Sequence, residues 1–260
     1  MKRSIIFGAV FIILLTLVLV SLRDWPSRIG EFLRYGYSLP SSMERRISII
    51  NGRQISFLIF HVPDGMQWGL ASDTSSPKSV HEWRTLLNAT VTINGSYFTE
   101  TNEPAGYYVL AGMPNANSCP TFTDPSTTVG YTFGVDVSDG SLQLSYIPAD
   151  DSFCQINDST AKFASFPSLL VDGEPTVSAD SGLFAKRTIL AEGKFGVDVI
   201  ITESGEVSLY EMARWLDVQS DDYTLAGNLD GGPSTGISVN AKPWNVELPS
   251  LAVPNILWAK

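Results

Sequence analysis

From Arg46 onward, apolar and polar residues alternate: Ile47 and Ile49, then Ile55, Phe57, Ile59 and Val62. A period of two marks half-buried strands, and Asn51-Gly52 between the two runs is a strong hairpin turn signal. The same arrangement returns over 128–147, where Tyr131, Phe133 and Val135 alternate, Asp139-Gly140 turns, and Leu142, Leu144 and Tyr146 come back. Helical spacing shows in two places. Over 79–89, Ser79 precedes Val80, Trp83, Leu86 and Leu87 on one predicted face. Further on, Ser208 and Glu211 form a capping-box pair ahead of Leu209, Met212, Trp215 and Leu216. Strands are predicted over 91–98, 188–191, 197–202 and 225–229, with turns at Glu203-Ser204-Gly205 and Asp230-Gly231-Gly232-Pro233. Strands outnumber helices and do not alternate regularly with them. That pattern predicts an α+β fold, a single domain over 46–260 with mixed sheets and a few packed helices.

The amino-terminal pattern is different. Residues 4–22 are 19 uncharged, mostly aliphatic positions between Arg3 and Arg23. As a helix they span roughly 28 Å, about a bilayer core. The run ends in Leu19-Val20-Ser21-Leu22, a poor cleavage site, and no cysteine near it would serve a lipoprotein anchor. We read 1–23 as a signal-anchor or transmembrane segment, with a cleaved signal and a secreted protein as the alternative. Residues 24–45, punctuated by Trp25-Pro26, Gly30, Gly36 and Pro40, read as a linker. Lys2 and Arg3 precede the span and no domain does, which puts the body on the extracytoplasmic side, periplasmic or at the cell surface. Cys119 and Cys154 have 34 residues between them. In an oxidising compartment they would close a loop, and two unconnected thiols are the other reading.

Composition then removes whole classes of function. The chain has 260 residues and a formal net charge of −10, and residues 1–23 hold three of the cations and no acid. A body this acidic does not suit binding to a nucleic-acid backbone. Aromatic residues make up 11%, far too many for a solvated acidic tail. With only His61 and His81 there is little material for a histidine-rich metal site. No cofactor is expected. A structural calcium ion stays open, although Asp150-Asp151 and Asp221-Asp222 lack the spaced ligands of a calcium loop. A serine hydrolase built on His81 with Ser96 or Ser234 lacks the Gly-x-Ser-x-Gly elbow.

Three clusters carry candidate chemistry: Asn94-Gly95-Ser96-Tyr97-Phe98, Lys186-Arg187-Thr188, and Asn228-Leu229-Asp230-Gly231-Gly232-Pro233-Ser234-Thr235. Taken singly, each is an ordinary turn or a surface cation. Together they describe a carboxylate at a strand end beside an anion-binding turn. Gly231 and Gly232 would expose backbone N–H groups as a nest, Ser234 and Thr235 would add hydroxyls, and Arg187 would take a phosphate or carboxylate. Glu211 reads as a capping residue. Among the tryptophans, Trp68, Trp83 and Trp215 read as core, and Trp244 beside Pro243 is the best candidate for stacking on a sugar.

At these residues the sequence resembles the phosphodiester glycosidase domain family, that of the N-acetylglucosamine-1-phosphodiester alpha-N-acetylglucosaminidase "uncovering enzyme" and its bacterial relatives. Its motifs appear in order as Asn94 to Phe98, Pro104-Ala105-Gly106, Leu169-Leu170-Val171-Asp172-Gly173, Arg187-Thr188, Leu209-Tyr210-Glu211-Met212-Ala213 and Asn228 to Gly232. The likeness covers about 46–245, and departs from the family where Pro233-Ser234-Thr235 follows the double glycine. It implies hydrolysis of the bond between a sugar's anomeric carbon and a phosphodiester oxygen. On that reading Asp230, Arg187 and Asn94 are catalytic. Gly95, Tyr97, Phe98, Thr188, Asn228, Gly231, Gly232, Ser234 and Thr235 bind a carbohydrate or sugar-phosphate substrate. A second carboxylate is open among Glu100, Glu103, Asp172 and Glu192. The alternative is a membrane-anchored carbohydrate or envelope-polymer binding module without catalysis, whose mark would be loss of Asp230 or Arg187; both are present.

Overall fold

The expected hairpin forms where the alternation begins. Strands β1 (Met43–Ile50) and β2 (Arg53–His61) pair antiparallel through Asn51-Gly52, whose φ values of 48° and 77° suit the tight turn that Asn-Gly favours. β1 starts at Met43, inside the stretch read as a linker. The computed structural model describes residues 39–110, 132–147, 153, 160–219, 221–241 and 244–260. The 4–22 segment, Cys119 and Cys154 lie outside them. Among the described residues no helix is long and apolar enough to cross a membrane.

Both predicted helices form behind the predicted caps. In α1 (Val80–Leu87) the Ser79 hydroxyl takes the Glu82 N–H while the Glu82 carboxylate takes the Ser79 N–H, a reciprocal capping box. In α2 (Leu209–Asp217) Ser208 and Glu211 do the same. The α1 face differs from the predicted one by a single position. Leu86 is 63% exposed, and Arg84 lies in its place inside, donating to the Ser238 hydroxyl at 2.7 Å.

The strands build three sheets whose pairings are antiparallel. The largest runs β1, β2, β12 (Gly196–Ser204), β11 (Thr188–Gly193), β13 (Leu225–Asn228), β9 (Ser168–Val171) and β10 (Glu174–Pro175). On one face α2 buries Met212 and Leu216 among Ile55, Phe57, Ile59, Ile189 and Ile200, with the Trp215 and Phe57 rings 4.2 Å apart. Each such fully buried side chain contributes about 1.5–3 kcal/mol. A second sheet runs β15 (Trp244–Leu248), β14 (Ile237–Ala241), β4 (Val91–Asn94), β16 (Asn255–Ala259) and β3 (Trp68–Ser72), with α1 against β4 and β14. The third runs β5 (Tyr108–Val109), β8 (Lys162–Ser165), β6 (Thr132–Asp136) and β7 (Gln143–Ile147).

The architecture is α+β, mostly strand, in one compact unit from Pro40 to Lys260. The third sheet packs on the first through a contact that only glycine permits. A Cβ at Gly227 would lie 1.9 Å from the Phe133 ring.

Candidate active site

Strand ends from all three sheets meet at one place. β4 ends at Asn94, β13 ends at Asn228, β11 starts at Thr188, and β8 ends at Ser165. Asn94 ties the two larger sheets together. Its amide nitrogen donates to the Asp230 carbonyl at 2.7 Å, and its amide oxygen accepts from the Thr188 hydroxyl at 2.7 Å and the Gly236 N–H at 3.2 Å. The Asp230 N–H returns to the Gly95 carbonyl at 3.2 Å. From the third sheet, the Ser165 hydroxyl donates to the Asn228 carbonyl at 2.7 Å. The three sequence clusters thus come together, as the motif reading required.

Their roles divide differently from expectation. Asn94 and Thr188 are fully buried and spend their polar atoms on each other and on this seam, so they position the site and do not face a ligand. Phe98 packs beside Trp83, Val253 and Ile256 in the α1 cluster. Gly95 is needed for packing, since a Cβ there would lie 2.1 Å from the Asn255 side-chain oxygen. Thr235 is buried, and its hydroxyl has no protein partner.

The expected backbone nest is already occupied. The Gly231 N–H donates to the Asp230 carboxylate at 2.8 Å and the Gly232 N–H to the Lys186 carbonyl at 2.8 Å. The N–H groups of Ser234 and Thr235 close the short 3-10 turn onto Gly231 and Gly232, and Pro233 has none. The glycines serve geometry instead. A Cβ at Gly231 would lie 2.8 Å from the Lys186 carbonyl oxygen, and Gly232 takes φ of 60°.

Tyr97 lies in electrostatic reach of both Asp230 and Arg187. Burial holds the Asp230 carboxyl above its ordinary pKa, although the Ser234 hydroxyl and the Gly231 N–H pull the other way. Arg187 is 8% exposed. Its Nε donates to the Val207 carbonyl at 3.1 Å and its Nη2 to the Leu183 carbonyl at 2.9 Å. Burial lowers its pKa, with Tyr97 and Glu206 opposing, and a guanidinium stays charged regardless. Nη1 lies on the Gly231 side, 3.8 Å from where a Cβ on that glycine would be. Both of these guanidinium hydrogen bonds go to carbonyls, and Glu206 acts on its charge without a hydrogen bond.

The other acids are placed elsewhere. Glu192 faces Leu225 at the far end of β11, four residues and about 13 Å along the strand from Thr188. Asp172 sits in the β9–β10 turn at that same end, where the Gly173 N–H bonds the Thr224 carbonyl. Glu100 and Glu103 are exposed on the turn after Tyr97, where the Thr99 N–H bonds the Glu103 carbonyl. Glu211 caps α2 and pairs with Arg53. Asp221 pairs with Arg46 at 2.7 Å. Among the described residues no group of three or more His, Cys, Asp or Glu is placed to hold a metal. Trp68, Trp83 and Trp215 are buried, and the Trp244 side chain lies outside the described residues. Three contributors carried no local signal: Asn255, Glu206 and Phe166, whose ring stacks on Tyr97 with centroids 4.7 Å apart.

A fold of three antiparallel sheets with a half-buried carboxylate and a buried guanidinium near their common seam defines a class, and the likeness to known proteins names it. The sequence profile of the phosphodiester glycosidase family matches residues 87–259, and the chain belongs to that family. It is similar in structure to the catalytic domain of zebrafish N-acetylglucosamine-1-phosphodiester alpha-N-acetylglucosaminidase, auto-inhibited by its pro-peptide. The TM-score is 0.58 at 17% identity, over 85% of this chain and 84% of that one. A hypothetical protein from Synechocystis gives a TM-score of 0.52 at 13% identity, over 84% of this chain and 61% of that one. At these identities the likeness speaks for the fold. Among curated proteins none matches.

Proposed function

We propose that the protein is a glycosidase that hydrolyses a sugar-1-phosphodiester in an extracytoplasmic glycoconjugate or envelope polymer. Family membership supports the reaction class. The observation that carries the reading is a half-buried Asp230 whose neighbour Gly231 packs against a buried Arg187 that, among the described residues, hydrogen-bonds carbonyls and no carboxylate. Such a pair suits a substrate that is electron-poor at one atom and anionic at the next. The anomeric carbon meets the Asp230 carboxylate, and the phosphate meets Arg187 Nη1. At 4 Å and an effective dielectric constant of about 20, one such charge contact is worth about 4 kcal/mol before desolvation.

The bond between the anomeric carbon and the phosphate oxygen breaks with its electrons on the phosphate. Water adds to the carbon, and its proton passes to Asp230, which burial keeps basic for an aspartate. A phosphate monoester with a second pKa of about 6 leaves without a strong acid behind it. Ser234 holds the carboxylate through its hydroxyl, and Asn94 and Thr188 hold the turn that carries it. The reading includes attachment to the membrane through residues 4–22, which rests on the sequence pattern alone.

The test is a panel of aryl glycosides, sugar-1-phosphates and sugar-1-phosphodiesters offered to the full-length protein. Release of free sugar from a phosphodiester is expected. Binding of the same compounds without turnover would favour the carbohydrate-binding module. Retention in carbonate-washed membranes is the expected behaviour of the anchor, and an amino terminus starting near residues 22–30 would show a secreted form instead.

A further inference from the structure

With the backbone N–H groups of the 231–235 turn already used, Arg187 alone faces the departing phosphate unless another donor stands nearby. Tyr97 is the residue in that position. Its ring is fixed by the stack on Phe166, and its hydroxyl accepts from the side-chain nitrogen of Asn228.

The Asn228 amide decides where the phenolic proton points. Its nitrogen also donates to the Leu229 carbonyl at 2.7 Å, while its oxygen is buried without a protein partner. Turning the amide over would set two acceptors against each other at Leu229 and bury an amine with no acceptor. The amide therefore keeps its nitrogen toward Leu229 and Tyr97, and Asn228 donates to Tyr97. Tyr97 cannot give its own proton back to that nitrogen. The O–H is left to point at a ligand at the seam.

The hydroxyl feels the charges of both Asp230 and Arg187, yet is hydrogen-bonded to neither. With the carboxylate at the anomeric carbon and the guanidinium at the phosphate, a donor in reach of both charges is placed to meet the oxygen that bridges those two atoms. Burial, with Asp230 adding to it, pushes the phenol up to about 12, so it stays protonated at any working pH. A group this weakly acidic serves as a donor and not as a nucleophile.

We propose that Tyr97 is a catalytic residue of this site, donating its hydroxyl hydrogen bond to the phosphate oxygen that leaves the anomeric carbon, with Asn228 as the positioning residue that aims it. The inference rests on the sugar-1-phosphodiester reading above. Tyr97 keeps its proton throughout. The bond to carbon breaks onto the bridging oxygen, that oxygen's new charge is met by the phenol and by Arg187, and water's proton goes to Asp230 as before.

The experiment compares full-length wild type, Tyr97→Phe and a chain carrying fluorinated tyrosine at 97, on phosphodiesters whose leaving phosphates differ in acidity. Tyr97→Phe keeps the ring that stacks on Phe166. It should lower kcat about 100-fold, the scale of losing one donor to a developing charge, with KM and melting temperature nearly unchanged. The loss should be largest for the least acidic leaving group, and the fluorinated tyrosine, a stronger donor, should retain activity. Tyr97→Phe within twofold of wild type on every substrate overturns the assignment while leaving the parent reading standing. Loss of activity together with melting temperature, or equal loss across leaving groups, overturns it as well. A wild type that releases no sugar from any phosphodiester sinks the parent reading, and this one with it.

Discussion

Two groups of charges sit on the large sheet, and the fold treats them in opposite ways. At the β1–β2 hairpin, Arg45 bonds Glu203 at 2.7 Å, Arg46 bonds Asp221 at 2.7 Å, and Arg53 grips the buried Glu211. Each cation there meets a carboxylate directly. At the seam of the three sheets, Arg187 is more deeply buried than Arg53, and it donates to the Val207 and Leu183 carbonyls. Asp230 is held by a hydroxyl and a backbone N–H, with no cation among its hydrogen-bond partners. Burying charges without neutralising them costs stability. On the proposed reading, the half-buried Asp230 and the buried Arg187, neither of them hydrogen-bonded to an opposite charge, are the pair that meets the ligand.

Substitutions can break this contrast in a graded way. The largest effect should come from Asp230→Asn, with turnover of a sugar-1-phosphodiester falling at least about 100-fold. Burial disfavours the charged form of Asp230, so its folded pKa lies above the unfolded one. The folded chain then binds more protons between the two values, and the carboxylate lowers stability as pH rises through that window. Removing the charge should therefore leave the melting temperature at pH 7 unchanged or slightly raised, as thermal unfolding would show. In wild type, kcat/KM should rise with pH along an acid limb lying above the ordinary aspartate value of 3.8. If Asp230→Asn stays within a few-fold of wild type, or loses activity and stability together, Asp230 only shapes its turn.

Next in size, Arg187→Ala should weaken phosphodiesters by about tenfold or more relative to aryl glycosides, which bring no phosphate. It should also lower stability by about 1–3 kcal/mol, because the Val207 and Leu183 carbonyls lose their donor. The ratio of kcat/KM values for the two substrate classes is the informative readout. An unchanged ratio would place the phosphate elsewhere.

Arg53→Ala should do the reverse. It leaves Glu211 buried with its Asn51 and Ser208 donors but without its cation, at a cost of about 1–3 kcal/mol in urea unfolding. The kcat of the folded fraction should not move. Smallest of all, Arg46→Ala removes a partly exposed pair and should change stability by less than about 1 kcal/mol. A kinetic effect from either hairpin substitution would erase the distinction between the two groups of charges.

Legibility in the sequence followed the range of the interactions involved. The β1–β2 hairpin, the two capped helices and the β11–β12 pair rest on contacts within a few residues, so period, Asn-Gly and Ser-x-x-Glu signals located them. Strand β16 pairs with β3 and β4, more than 150 residues earlier in the chain, and no local pattern marked it. The site divided along the same line. Motif order brought Asn94, Arg187 and Asp230 together, but their surroundings depend on distant partners. The family resemblance makes Asn94 a catalytic residue that meets the substrate. Only the positions of Thr188, Gly236 and Asp230 show that its amide is already used. The nest failed for the same reason: Lys186 takes the Gly232 N–H from 46 residues earlier.

The most direct test of the central claim follows which bond breaks. A sugar-1-phosphodiester hydrolysed by the full-length protein in heavy-oxygen water should place the label on the sugar's anomeric hydroxyl and none on the phosphate. Asp230→Asn should abolish that incorporation. Label appearing in the phosphate would mean attack at phosphorus, with Asp230 and Arg187 serving a phosphodiesterase, and would contradict the account.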